Sequence, residues 1–72
     1  MKLEDIKVLL RTIVQYDTVN ITQTFTKTEE DRVIVRCLPN TKTIELTFIP
    51  TQTVEYHESI DKAAQVIAEQ IN

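Results

Sequence analysis

The sequence predicts a small α+β domain in which two helices pack on one face of a three-stranded antiparallel meander, with a short fourth edge strand as an option. Amphipathic stretches with helical periodicity lie at both ends of the chain, and threonine-rich stretches with period-two alternation lie between them. The chain has 72 residues and contains no internal repeat, linker or low-complexity segment. Residues 1–72 are therefore expected to form a single domain.

The first helix is predicted over residues 3–16. Its charged and polar positions fall on the opposite side of the helical wheel from its apolar positions, as in a helix with one buried face. The apolar positions are Leu3, Ile6, Leu9, Leu10, Ile13, Val14 and Tyr16.

A first strand is predicted after Asp17, where the helical pattern breaks. Val19, Ile21 and Phe25 alternate at period two with polar residues, which predicts a strand with one apolar face. The polar residues are Asn20, Thr22, Thr24 and Thr26. Gln23 interrupts the apolar face, so we expect it to lie near a rim, to form a hydrogen bond or to mark a bulge.

The central feature is a hairpin over residues 32–49, and its alternation predicts a register. If Pro39 to Lys42 form the loop, Leu38 faces Thr43, and three apolar pairs fall on the core face of the sheet. These pairs are Val33–Phe48, Val35–Leu46 and Cys37–Ile44, and the same register sets Arg36 opposite Glu45 on the other face.

Three aliphatic residues are expected on the face that the helices leave open. Ile34, Leu38 and Ile49 share this face with threonines, which is more aliphatic surface than a solvated sheet face usually carries. They are candidate partner-binding residues, as is Tyr56, which could instead anchor the second helix.

The last third of the chain is predicted to contain an extended segment and a helix. Pro50 ends the third strand, and residues 51–56 form either a short edge strand or an arm that reaches a second subunit. Ser59 is expected to cap a helix over residues 60–71. Its apolar stripe is Ile60, Ala63, Ala64, Ile67, Ala68 and Ile71.

Composition excludes several common kinds of site. The chain has no glycine, which phosphate-cradling loops and nucleophile elbows need for their backbone geometry. It has one cysteine and one histidine, which removes an intramolecular disulfide and disfavours a protein-only zinc site. We therefore predict no catalytic residues, no cofactor and no metal.

Two weaker patterns have structural explanations. His57 to Asp61 resembles the outline of a helical zinc motif, but Ser59 as N-cap would place His57 before the helix. Cys37 could pair with His57 as a catalytic thiol, yet it is expected on the core face, where cysteine behaves as a small hydrophobe.

Charge and cysteine content indicate the kinds of partner. A net charge of −3 and a pI near 5.0 disfavour direct binding to nucleic acid and to anionic membranes. A lone thiol without an apolar signal segment favours a cytoplasmic location. Glu29, Glu30 and Asp31 form the densest run of charge, expected as a solvated turn or as a contact for a basic partner.

Short stretches of the sequence resemble one group of proteins, and the order of elements resembles another. Residues 43–47 (TIELT) and the Ile60-Asp61 helix start are similar to the uncharacterised YkuJ-like proteins, a resemblance that implies no activity. The order of elements, the size and the acidic charge resemble short phage-encoded anti-CRISPR proteins, which implies inhibition of a nuclease at its nucleic-acid site. Neither resemblance assigns the chain to a family.

Together these patterns favour a non-enzymatic protein-interaction or regulatory module, expected to act as a homodimer. Self-association would supplement the small core of a 72-residue chain. The alternative is an inhibitor that presents acidic residues to a basic, nucleic-acid-binding enzyme. Those residues are Glu29, Glu30, Asp31, Glu55, Glu58 and Asp61.

Overall fold

The computed structural model describes residues 1–16, 18–19 and 21–72. The chain runs helix, four strands, helix, which confirms the predicted α+β class and its option of a fourth strand. The elements are α1 (Leu3–Gln15), β1 (Thr22–Lys27), β2 (Glu30–Cys37), β3 (Ile44–Phe48), β4 (Thr53–His57) and α2 (Ile60–Ile71).

The four strands form one antiparallel meander in the order β1-β2-β3-β4. For residues 51–56 the sequence allows two alternatives, an edge strand or an arm exchanged with a second subunit. In the single chain it supplies β4, which pairs with β3 along the register Ile44 to His57 and Phe48 to Thr53. The sheet therefore ends in β1 on one side and in β4 on the other.

The predicted register of the central hairpin is confirmed. Val33, Val35 and Cys37 face Phe48, Leu46 and Ile44, and Arg36 faces Glu45. The amide of Leu38 donates to the carbonyl of Thr43 at 2.8 Å, which closes the loop at residues 39–42. Lys42 in this loop donates from Nζ to the carbonyl of Val14 at 3.1 Å, and so joins the loop to the end of α1.

The first strand begins later than its alternation predicted. Val19 lies in a turn with its side chain 62% exposed, and Ile21 precedes the strand while packing against the core. The period-two pattern was wrong there because a turn residue can match the alternation by chance. Asp17 and Asn20, placed at the helix break and in this strand, lie outside the described residues.

Gln23 lies on edge strand β1, consistent with the rim position predicted for it. Its side-chain amide donates to the carbonyl of Thr24 at 3.3 Å, so the polar group is satisfied locally. The bulge in this strand falls between Phe25 and Thr26, two residues beyond Gln23. A bulge at an edge bends the strand and weakens its ability to pair further.

One apolar core lies between the sheet and the two helices. Strands β2 and β3 bury every second side chain towards the helices, and α2 presents alanines that let it lie close to the sheet. The buried residues are Ile6, Leu10, Ile13, Phe25, Val33, Val35, Cys37, Ile44, Leu46, Phe48, Ala63, Ala64 and Ile67. Both helices therefore cover the same face of the sheet, as predicted.

The second helix starts as the sequence indicated. The hydroxyl of Ser59 accepts a hydrogen bond from the amide of Lys62 at 3.3 Å, which satisfies one of the amides that a helix start leaves without a helical partner. Val66, which is not part of the predicted apolar stripe, also packs partly against the core. Tyr16, predicted on the apolar side of α1, is 48% exposed because α1 ends one residue earlier.

The turn between β1 and β2 has residue types that are unfavourable for its backbone conformation. Lys27 pairs with Glu30, so Thr28 and Glu29 alone form the turn, with φ of 54° and 65°. Positive φ at both central positions defines a type I′ turn, which favours Asn-Gly because a Cβ atom is crowded there. A β-branched threonine is among the least suitable residues at such a position.

Candidate interaction surface

The face of the sheet opposite the helices is lined by threonines, aliphatic residues and one ion pair. We call it the open sheet face. Across the four strands, one row is Thr24, Ile34, Thr47 and Val54, and the next is Thr22, Arg36, Glu45 and Tyr56. Ile49 continues this face beyond β3, where its amide donates to the carbonyl of Arg32 at 3.0 Å.

Arg36 and Glu45 form an ion pair at the centre of the open sheet face, and Tyr56 lies opposite Glu45 on the next strand. Arg36 donates from Nε to Oε1 of Glu45 at 2.8 Å and from Nη2 to Oε2 at 3.3 Å, a bidentate arrangement. The hydrogen bond from Arg36 lowers the pKa of Glu45, with a smaller contribution from Tyr56. The same hydrogen bond raises the pKa of Arg36. The pair is therefore charged at neutral pH.

The structure places the four predicted apolar contact residues on the open sheet face. Ile34 and Leu38 are partly buried by their neighbours, whereas Ile49 is 36% exposed and Tyr56 is 59% exposed. Val54, which was not among the predicted contact residues, lies in the row of Ile34 and is 48% exposed. Its alternation with Tyr56 was visible in the sequence, but only the pairing of β4 with β3 assigns that side to this face.

The acidic run lies apart from these residues. Glu29 belongs to the β1–β2 turn, and Glu30 and Asp31 begin β2. All three are exposed, and Glu30 lies 3.6 Å from the guanidinium of Arg32. This end of the sheet is opposite to the end at which β4 leads into α2.

The helix side of β4 is polar and forms one wall of a groove. Thr53, Glu55 and His57 point to this side, and Nε2 of His57 lies 3.0 Å from Oε1 of Glu55. The groove, about 350 Å³ in volume, separates β4 from α2. It is lined by Phe48, Thr51, Thr53, Glu55, Val66, Glu69 and Gln70. With two carboxylates and few apolar atoms, it lacks the apolar lining of a typical small-molecule site.

The structure separates the residues of the two weaker chemical patterns. His57 lies in β4 and Asp61 in the first turn of α2, so the helical arrangement required for the zinc motif does not form. Cys37 and His57 flank Ile44 on adjacent strands, about 10 Å apart at the usual strand spacing, beyond hydrogen-bond reach. Among the described residues, no group of three or more His, Cys, Asp or Glu could hold a metal ion.

Within the part of the chain that the structure describes, no helix is long and apolar enough to cross a membrane. The fold and its open sheet face define a small two-layer α+β domain whose clearest candidate site is a surface. No known protein family, curated protein or solved structure matches the chain.

Proposed function

We propose that the protein is a non-enzymatic interaction module of the cytoplasm that binds another protein through its open sheet face and acts as a homodimer. The observation that carries this proposal is the set of aliphatic and aromatic side chains on a sheet face that α1 and α2 leave uncovered. Ile49, Val54 and Tyr56 are each at least about one third exposed there. Burial of one such side chain is worth about 1.5–3 kcal/mol.

The partner that this face fits is an uncharged, largely apolar surface of another protein. The charges of Arg36 and Glu45 offset each other in a bidentate pair, and the Arg36 side chain remains 42% exposed beside the apolar residues. Thr24 and Thr47 add methyl groups and hydroxyls in the row of Ile34. A flat surface of this kind suits apolar contacts surrounded by weak polar ones, as at the core and rim of protein interfaces.

The alternative, an acidic inhibitor of a basic nucleic-acid-binding enzyme, has less support. Glu29 and Glu58 lie at opposite ends of the sheet, separated by about 20 Å along strands of this length. Glu55 and Asp61 also have basic neighbours in His57 and Lys7. The six carboxylates of that hypothesis therefore do not form one continuous acidic surface.

Affinity capture from the cells that encode the chain, read by mass spectrometry, tests the proposal when it is paired with two variants. Ile34→Asp places a charge at the centre of the open sheet face, where an apolar partner would have to remove its hydration. Val8→Asp is the matched control, because Val8 is 54% exposed on α1, away from this face. We expect capture to be lost in the first variant and retained in the second, with thermal melts confirming that both fold.

The captured partner is then purified and its affinity measured by calorimetry for both variants. Equal affinity for Ile34→Asp and Val8→Asp would reject the open sheet face as the binding surface. A basic nucleic-acid enzyme whose binding instead requires Glu29, Glu30 and Asp31 would favour the inhibitor. Recovery of the chain alone would indicate a structural dimer without a separate partner.

A further inference from the structure

The hydrogen-bond pattern of the hairpin determines which way each backbone group of β3 points. The amide of Leu38 donates to the carbonyl of Thr43, and the amide of Ile49 donates to the carbonyl of Arg32. In an antiparallel ladder, residues that bond to one neighbour alternate with residues that bond to the other. The odd-numbered residues of β3 therefore bond to β2, and its even-numbered residues bond to β4.

The same alternation continues into β4. Its register with β3 directs the amides and carbonyls of Thr53, Glu55 and His57 inward, towards β3. The amides and carbonyls of Val54 and Tyr56 point outward, where no described strand lies. The side chains of these two residues are also exposed on the open sheet face.

The two edges of the sheet differ in how well they could accept another strand. Edge strand β1 contains the irregularity between Phe25 and Thr26, which interrupts regular pairing. Edge strand β4 pairs with β3 without a register shift, and it contains neither proline nor a bulge. A regular, exposed edge of this kind is a template for pairing with a second chain.

We propose that two copies of the protein pair antiparallel along β4, with Tyr56 on the two-fold axis, to form one continuous sheet from the four strands of each copy. In this register Tyr56 exchanges backbone hydrogen bonds with Tyr56 of the second copy, and Val54 lies opposite Glu58 of the second copy, the residue that follows β4. The inference goes beyond the proposed function because it assigns self-association to the edge of the sheet and leaves the open sheet face for the partner.

The charges on β4 favour one register between the two β4 strands of the proposed dimer. An axis at Glu55 would set its carboxylate directly opposite the same carboxylate of the second copy, and like charges in that position are destabilising. An axis at Tyr56 sets Glu55 of each copy opposite His57 of the other, in the closely spaced type of cross-strand pair. Glu55 is half exposed and already lies 3.0 Å from His57 of its own chain, so each carboxylate would contact two imidazoles.

This arrangement also extends the open sheet face. Because the two sheets become continuous, the Tyr56 side chains of both copies meet at the centre of the dimer, and Val54 of each copy lies on the same face, opposite Glu58 of the other copy. Tyr56 faces Tyr56 of the second copy across the axis, a favourable cross-strand aromatic pair. Dimerisation therefore joins two modest apolar strips into one larger surface.

The edge is tested by sedimentation equilibrium on the full chain, with one proline substitution on each edge. We expect the unmutated protein to reach twice its 8.4 kDa monomer mass at micromolar concentration. Val54→Pro removes an outward amide while leaving the bonds to β3 intact, and it should raise the dissociation constant about tenfold or more. Thr24→Pro is the matched control, since the same alternation directs the Thr24 amide outward from β1.

The register is tested by charge exchange at two positions. His57→Glu sets the introduced carboxylate opposite Glu55 of the other copy, at two places in the dimer, and should weaken the dimer about tenfold. Adding Glu55→Lys to that variant sets opposite charges against each other at both places and should recover the dimer. With an axis at Glu55 the same double variant would instead set the two introduced lysine side chains against each other, and it would stay monomeric.

Several results would overturn the proposal. One is a monomeric mass for the unmutated protein at about 100 micromolar, a concentration at which a dimer with a micromolar dissociation constant is almost fully associated. The others are a dimer that Val54→Pro does not weaken and a double variant that does not recover the dimer. If Val54→Pro does not fold, as judged by circular dichroism, His57→Glu still tests the edge because it changes only a side chain. Ile34→Asp separates the two hypotheses, since it should abolish partner binding while the protein remains dimeric.

Discussion

Replacing the turn residues Thr28 and Glu29 by Asn and Gly should stabilise this protein. Both residues have positive φ in a two-residue type I′ turn, and the chain contains no glycine to accommodate it. In this conformation a Cβ atom lies too close to the following carbonyl oxygen, at a cost of roughly 1–2 kcal/mol per residue. The substitutions remove or reduce that crowding without touching the core.

The magnitude follows from two opposing effects. Glu29→Gly relieves the crowding but adds about 0.5–1 kcal/mol of conformational entropy to the unfolded chain. A net gain of about 0.5–1 kcal/mol remains in the free energy of unfolding. Thr28→Asn contributes a similar amount, because asparagine tolerates the left-handed region and β-branched threonine does not. The double variant should gain about 1–2 kcal/mol.

Urea and thermal unfolding, followed by circular dichroism, measure this gain. A domain of this size shifts its Tm by roughly 4–8 °C for each kcal/mol. Glu29→Ala is the matched control, because it removes the same carboxylate from the acidic turn but keeps the Cβ atom. If Glu29→Ala stabilises as much as Glu29→Gly, charge repulsion explains the gain. An unchanged Tm in the double variant would refute the argument from backbone crowding.

Three further predictions concern the core, a helix cap and the ion pair. Leu46→Ala should lower the free energy of unfolding by about 2–5 kcal/mol, since Leu46 is fully buried in β3, and an unchanged Tm would contradict its place in the core. Ser59→Ala should cost about 1 kcal/mol in urea unfolding, whereas Ser59→Asp, which keeps an acceptor, should not. Glu45→Gln should be less stable than the unmutated protein at neutral pH. Because Arg36 lowers the folded-state pKa of Glu45 below 4.5, that difference should hold above about pH 5 and shrink as acidification protonates the carboxylate. A pH-independent difference between the two melting curves would argue against the ion pair as its source.

The helices, the central hairpin and its register could be predicted from the amino-acid pattern alone. In α1 and α2 the apolar residues recur at helical spacing, so only one face of each helix can be the buried one. In the hairpin, a slip of one residue would expose the side chains of Val35 and Leu46, which are fully buried. The prediction of Arg36 opposite Glu45 succeeded for the same reason. The start of β1 could not be located in this way, because Val19 matches the strand alternation while lying in a turn.

The composition of the open sheet face and the identity of the exposed edge became clear only from the packing of the strands. Alternation places Val54 and Tyr56 on a common side of an extended segment, but it cannot say which strand pairs with that segment or which face results. Pairing with β3 assigns both side chains to the open sheet face, directs their backbone groups outward, and separates the acidic turn from Glu58. These relations depend on contacts between residues distant in the chain, and local periodicity contains no information about them.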